Sequence, residues 1–189
     1  MILPGIFASQ ISGHLYSGPA GAFDALGSVT VGAGGASFIQ FSAIPQTWTH
    51  LQLRIHGRSD LTSDLASPVL QFNGDTGSNY FAHQLFGDGS SPTATASTSG
   101  TYIAAPQIAT DYLSSTIFGD SVVDILDYTN TNKNKTVRGL GGYDANGSGK
   151  IFLRSGAWNN TAAINSILIT PYVTSNFKQY TNISLYGIR

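Results

Sequence analysis

Four histidines, at 14, 50, 56 and 83, and ten aspartates are the acids and bases this chain offers for chemistry; it has no glutamate and no cysteine. His50 and His56 bracket one predicted strand six residues apart. They share a face but stand about 20 Å apart, too far to hold one metal ion. A nucleophilic triad needs Ser or Cys, His and a carboxylate to converge, and no G-x-S-x-G elbow occurs. Asp124 and Asp127 lie three apart on a predicted strand, so they point to opposite faces and cannot work as a pair. One of them is expected half-buried, with Arg138 on the next strand as a plausible partner. A glycosidase pair would have to be built from Asp alone. These residues predict no enzyme, and neither catalytic residues, cofactor nor metal is assigned.

Asp144, Asn146, Ser148 and Gly149 resemble the start of a calcium loop, but position 155 is Ser where the twelfth-place Glu belongs. A hairpin turn is the simpler reading. The run 73–79, Asn-Gly-Asp-Thr-Gly-Ser-Asn, also presents side-chain oxygens, with the same discount. Sequons at Asn134, Asn146, Asn159 and Asn182 matter only in a glycosylating host. Trp48, Trp158, Tyr102 and Tyr112 could stack on sugar rings if exposed. Core positions are the expectation for them.

The elements that must position these residues are strands. The chain has 189 residues and fits one domain, long enough to bury roughly 70% of its unfolded surface without a staple. Net charge is −1 and Lys occurs only at 133, 135, 150 and 178. That balance gives no footprint for nucleic acid. A chain without Glu and poor in Lys lacks the ordinary surface residues of helices, whereas Thr, Ser, Gly, Asn and aromatics suit strands and turns. No apolar run reaches the roughly 18 residues of a membrane span. The opening segment has no basic residue before its apolar stretch and makes a poor signal peptide.

Residues 1–25 read as an extended N-terminal arm, apolar at Ile2, Leu3, Ile6, Phe7, Ile11 and Leu15 and broken by Pro4, Gly5, Gly13, Gly18, Pro19 and Gly21. Such anchors require a groove on this domain or a neighbour. Residues 26–189 read as a β-sandwich domain. Segments 28–31 and 36–44 predict a hairpin about a glycine-rich turn. Strands are expected at 48–57, with Leu51, Leu53 and Ile55 on one face, and at 68–73, 79–87, 120–128, 135–143, 150–158, 164–171 and 180–188. Residues 88–116 predict a long exposed loop with one short strand near 102–104. About ten closely spaced strands suggest an all-β fold, an antiparallel β-sandwich of jelly-roll type.

With these segments placed, Pro45-Gln-Thr-Trp-Thr-His-Leu-Gln-Leu-Arg54, Phe72-Asn-Gly-Asp-Thr-Gly-Ser-Asn-Tyr80 and Val123-Asp-Ile-Leu-Asp-Tyr-Thr-Asn-Thr-Asn-Lys133 carry a likeness. Pro4-Gly-Ile-Phe-Ala-Ser-Gln-Ile-Ser-Gly13, Lys135-Thr-Val-Arg138, Asn146-Gly-Ser-Gly149, Ser155-Gly-Ala-Trp158 and Ser184-Leu-Tyr-Gly-Ile-Arg189 continue it in order. The chain resembles a family of tailed-bacteriophage virion proteins, described variously as capsid decoration or as tail and fibre parts. The resemblance implies a structural protein of the virion, with no catalytic motif to carry over.

The expected function is capsid decoration, or cement. The arm residues Ile2, Leu3, Ile6, Phe7, Ile11 and Leu15 would lie along the phage major capsid protein on the outer surface of the head, and the domain would form a homo-oligomer, with a trimer the natural guess. The alternative is a tail or fibre domain that binds host surface glycans. A glycan partner is the less favoured of the two, and neither nucleic acid nor membrane is expected as a partner.

Overall fold

The computed structural model describes residues 21–64 and 66–189. Ile2, Leu3, Ile6, Phe7, Ile11, Leu15 and His14 therefore lie outside the described residues, while Phe23–Ala25 of the expected arm belong to the first strand. Among the described residues there are thirteen strands and no helix. They are β1 (Phe23–Thr30), β2 (Ile39–Phe41), β3 (His50–Ser59), β4 (Val69–Phe72), β5 (Tyr80–Gly87), β6 (Pro92–Gly100) and β7 (Ile103–Ala104). The rest are β8 (Ala109–Thr110), β9 (Gly119–Leu126), β10 (Lys135–Asp144), β11 (Gly149–Trp158), β12 (Ile167–Thr170) and β13 (Asn182–Ile188).

These strands form two antiparallel sheets. The larger runs β1-β13-β3-β9-β10-β11-β5-β6, with the short β8 added parallel to β3; the smaller runs β2-β12-β4-β7. Four of the pairs are nested: β1 with β13, β2 with β12, β3 with β9, and β4 with β7. The two remaining excursions, β5-β6 and β10-β11, both add to the same edge of the larger sheet. The larger sheet consequently outgrows the smaller one, and β11, β5 and β6 form an overhang.

Alternation explains where the core sits. Leu51, Leu53 and Ile55 of β3, Val123 and Ile125 of β9, and Ile183 and Leu185 of β13 turn inward. They meet Ile39, Leu70, Phe72, Ile167 and Ile169 of the smaller sheet in one apolar cluster. Period-two burial of this kind is what a sheet with one covered face requires. Trp48 lies so close to β13 that a Cβ added at Gly187 would sit 2.4 Å from its ring. Arg189 covers the same ring, its guanidinium carbon 4.8 Å from the centroid.

Two expectations are corrected. The glycine-rich segment after β1 does not make a hairpin: β1 pairs with β13 and β2 with β12, in different sheets. Its glycines turn the chain from one layer to the other. Residues 88–116 are not one long loop, because they contain β6, β7 and β8. Strand β6, Pro-Thr-Ala-Thr-Ala-Ser-Thr-Ser-Gly, is an edge strand exposed along nearly its whole length. It lacks the apolar alternation that betrays a strand with one buried face. The hairpin at 144–149 is present: Asp144 faces Gly149, Ala145 N–H donates to Ser148 O at 2.7 Å, and Asn146 takes a left-handed backbone.

Candidate functional site

The histidines and aspartates singled out in the sequence do not converge. His50 Nδ1 accepts the Asp127 N–H at 2.9 Å, His56 stacks on Phe118, and His83 lies on β5. Asp124 is half-buried on the outer face, directly opposite Arg138. Its carboxylate nevertheless accepts from Gln52 Nε2 at 2.8 Å, because β3 offers an amide of the right reach on the other side. Asp127 falls just past β9 in a left-handed turn and pairs with Lys133, whose ammonium holds its carboxyl below the usual range. Among the described residues no three His, Cys, Asp or Glu side chains group in a way that could hold a metal ion.

The turn 73–79 is occupied with its own structure. Asp75 accepts from Trp158 Nε1 at 2.8 Å, from Gly77 N–H at 2.8 Å and from Asn79 Nδ2 at 3.0 Å. The Trp158 indole, foremost, holds the Asp75 carboxyl below its ordinary value. Tyr80 donates to the Asp75 carbonyl and accepts from Phe72 N–H, and burial pushes its hydroxyl up to about 12. Trp158 packs on Phe72 and Tyr80, so this corner carries the chain from the smaller sheet to the larger and seals the sandwich. Both tryptophans are buried, as expected for core, whereas Tyr102 and Tyr112 are exposed against that expectation.

Two surfaces remain open. On the outer face of the larger sheet, Val122, Leu140, Leu153 and Leu85 stand directly beside one another across β9, β10, β11 and β5. Ala94 of β6 extends the row, and Ile151 adds to it one pair away along β11. Leu140 is 55% and Ile151 63% exposed. Branched aliphatics in cross-strand register form a contiguous apolar patch. The cross-strand register, which alternation along a single strand does not supply, brings these residues together on one face.

The second surface is the inner face of the overhang. A groove of about 420 Å³ lies there, lined by Ala82 and Gln84 of β5, Thr95 and Ser97 of β6, Tyr102, and Arg154 of β11. Arg154 lies over the Phe152 ring at 5.1 Å, and burial lowers its guanidinium to about 10, still charged near neutrality. Its Nη2 donates to Ser67 Oγ at 2.9 Å, whereas its buried Nε finds no acceptor among the described residues.

The fully buried cations among the described residues are satisfied. Arg58, 3% exposed, donates to Asp111 through Nε and Nη2 and to the carbonyls of Leu113, Ser114 and Ile117. Lys135, 0% exposed, donates to the carbonyls of Asn130, Lys133 and Thr161, and burial pushes its ammonium down. Arg154 was absent from the sequence-level candidates because nothing local distinguishes an arginine that meets a carboxylate from one that does not. Compared with family models, curated proteins and solved structures, the chain has no match.

Proposed function

We propose that this chain is a bacteriophage virion structural protein that acts by binding other protein surfaces, as a capsid decoration protein on the outside of the head. The observation that carries the reading is the apolar row Val122, Leu140, Leu153 and Leu85 on the open face of the larger sheet. Burying aliphatics of this kind against a partner contributes roughly 25 cal/mol per Å² of apolar surface removed from water. Side-by-side sheets of low charge suit a broad protein contact better than a small-molecule cleft. The residue pattern described above supports the virion assignment, and the apolar arm supplies a second attachment to the major capsid protein. A trimer belongs to the same proposal.

The jelly-roll reading is supported by the nesting of the pairs. Leaving out β5, β6, β8, β10 and β11, the sheets read β1-β13-β3-β9 and β2-β12-β4-β7. First pairs with last, second with next to last, and so on inward, as in one long hairpin wound into two sheets.

A second reading, a tail or fibre domain that binds host glycans, is favoured by one observation: Tyr102 stands exposed beside the Arg154 groove. Co-sedimentation with empty heads separates the two. Full-length protein should bind saturably, and Leu140→Asp with Leu153→Asp, or removal of residues 1–20, should abolish binding while the domain stays folded. Undiminished binding by both variants, or no affinity for heads by the intact chain, would refute decoration.

A further inference from the structure

We infer that the groove under the overhang binds a carboxylate-bearing saccharide, with Arg154 holding the carboxylate and Tyr102 lying against the sugar ring. The inference is independent of where on a particle the domain sits. A guanidinium presents its N–H groups as a planar fork that matches an oxyanion in bidentate fashion. At Arg154 only Nη2 has a protein acceptor among the described residues, and that acceptor is a neutral hydroxyl. No carboxylate pairs with it there, and residues 1–20 contain neither Asp nor Glu. Arg154 is half-buried with its Nε out of reach of water, and a cation partly withdrawn from water without a counter-charge gains from an anion that completes it. In this same protein Arg58 and Lys135 show what completion looks like, with every available direction taken by a carboxylate or a carbonyl.

The walls select the rest of the ligand. Gln84, Thr95 and Ser97 place an amide and two hydroxyls along the groove, with no carboxylate and no aliphatic side chain larger than Ala82 or Ala104. That lining suits a polyhydroxylated ring and does not suit an acyl chain. Tyr102, 37% exposed, provides the aromatic face on which a pyranose packs. The volume falls within the roughly 300–1,000 Å³ of small-molecule sites. Phe152 under the guanidinium fixes its plane, so the fork is already oriented before a ligand arrives.

The full-length protein is titrated with sodium glucuronate, and separately with glucose, acetate and glucose 6-sulfate, by calorimetry or by chemical-shift changes. Glucuronate should saturate; glucose should not bind, and acetate and the sulfate ester should each bind at least tenfold more weakly. Arg154→Gln should weaken glucuronate at least tenfold with an unchanged melting temperature. Tyr102→Leu, at an exposed position, should weaken glucuronate severalfold and leave acetate unaffected. No glucuronate binding, equal binding of glucose, or unchanged affinity in a folded Arg154→Gln variant would overturn the proposal. Acetate as tight as glucuronate would reduce the site to an anion hole, and the sulfate ester binding tighter would displace the carboxylate; either refutes the saccharide assigned. If Arg154→Gln fails to fold, Tyr102→Leu decides, since unaltered affinity there removes the ring contact on which the assignment depends.

Discussion

Arg58 is buried and Arg154 half-buried, and the two surroundings differ further in the partners they offer. Around Arg58 the rolled part of the fold closes completely: β8 lies alongside the end of β3, and the segment that follows it brings up Asp111 and three carbonyls. Lys178 joins from beside β13, donating to Asp111 at 2.8 and 2.9 Å. Around Arg154 the larger sheet has outrun its partner, and among the described residues only Ser67 offers the cation a hydrogen-bond acceptor. The first is a fastening and the second an opening. The complement of partners, together with burial, separates a structural ion from one that faces a ligand.

The largest expected effect lies at the fastening. Arg58→Met should cost about 3–5 kcal/mol in urea denaturation, because it strands three carbonyls and leaves Asp111 with Lys178 as its one remaining cation. A loss under about 1 kcal/mol would break the distinction between the two sites. Acid should then loosen the same region. Burial pushes the Asp111 carboxyl up, but Lys178 and Arg58 outweigh it and leave the group below its ordinary value. A carboxylate depressed on folding lends stability that is fully present above the unfolded value of about 3.9 and disappears as pH falls through the folded one. Asp75, held down chiefly by the Trp158 indole, follows the same rule. Thermal melts between pH 7 and pH 2 should show a fall that begins near pH 4, shallower in Asp111→Asn, together with a shift in tryptophan emission as the Asp75 corner opens. The smallest effect is at the opening. Arg154→Met should change stability by less than about 1 kcal/mol, since it gives up one hydrogen bond to a hydroxyl and removes a half-buried charge that has no carboxylate partner among the described residues. A loss as large as that of Arg58→Met would mean that Arg154 is structural.

Much of the strand pattern is legible along the chain. Leu51, Leu53 and Ile55 announce their buried face by alternation, and Asp144 to Gly149 announces a turn by its Asn-Gly pair. The buried positions of Trp48 and Trp158 also follow from the apolar strands they flank. Strand β6 escapes notice because neither of its faces is covered, so its residues carry no period-two signal. The β1-to-β2 connection misleads because turn residues specify a reversal, not the sheet that receives the next strand.

Local residue types by themselves determined the all-β character and the apolar face of β3, since propensity and alternation act over a few neighbouring residues. Only the tertiary structure decided that the excursions β5-β6 and β10-β11 fall on one edge, which of two apolar faces stays open, and which arginine meets a carboxylate. Those outcomes depend on partners far apart in the chain, as Arg58 and Asp111 are at 53 positions, and no local pattern records a pairing that only folding brings into contact.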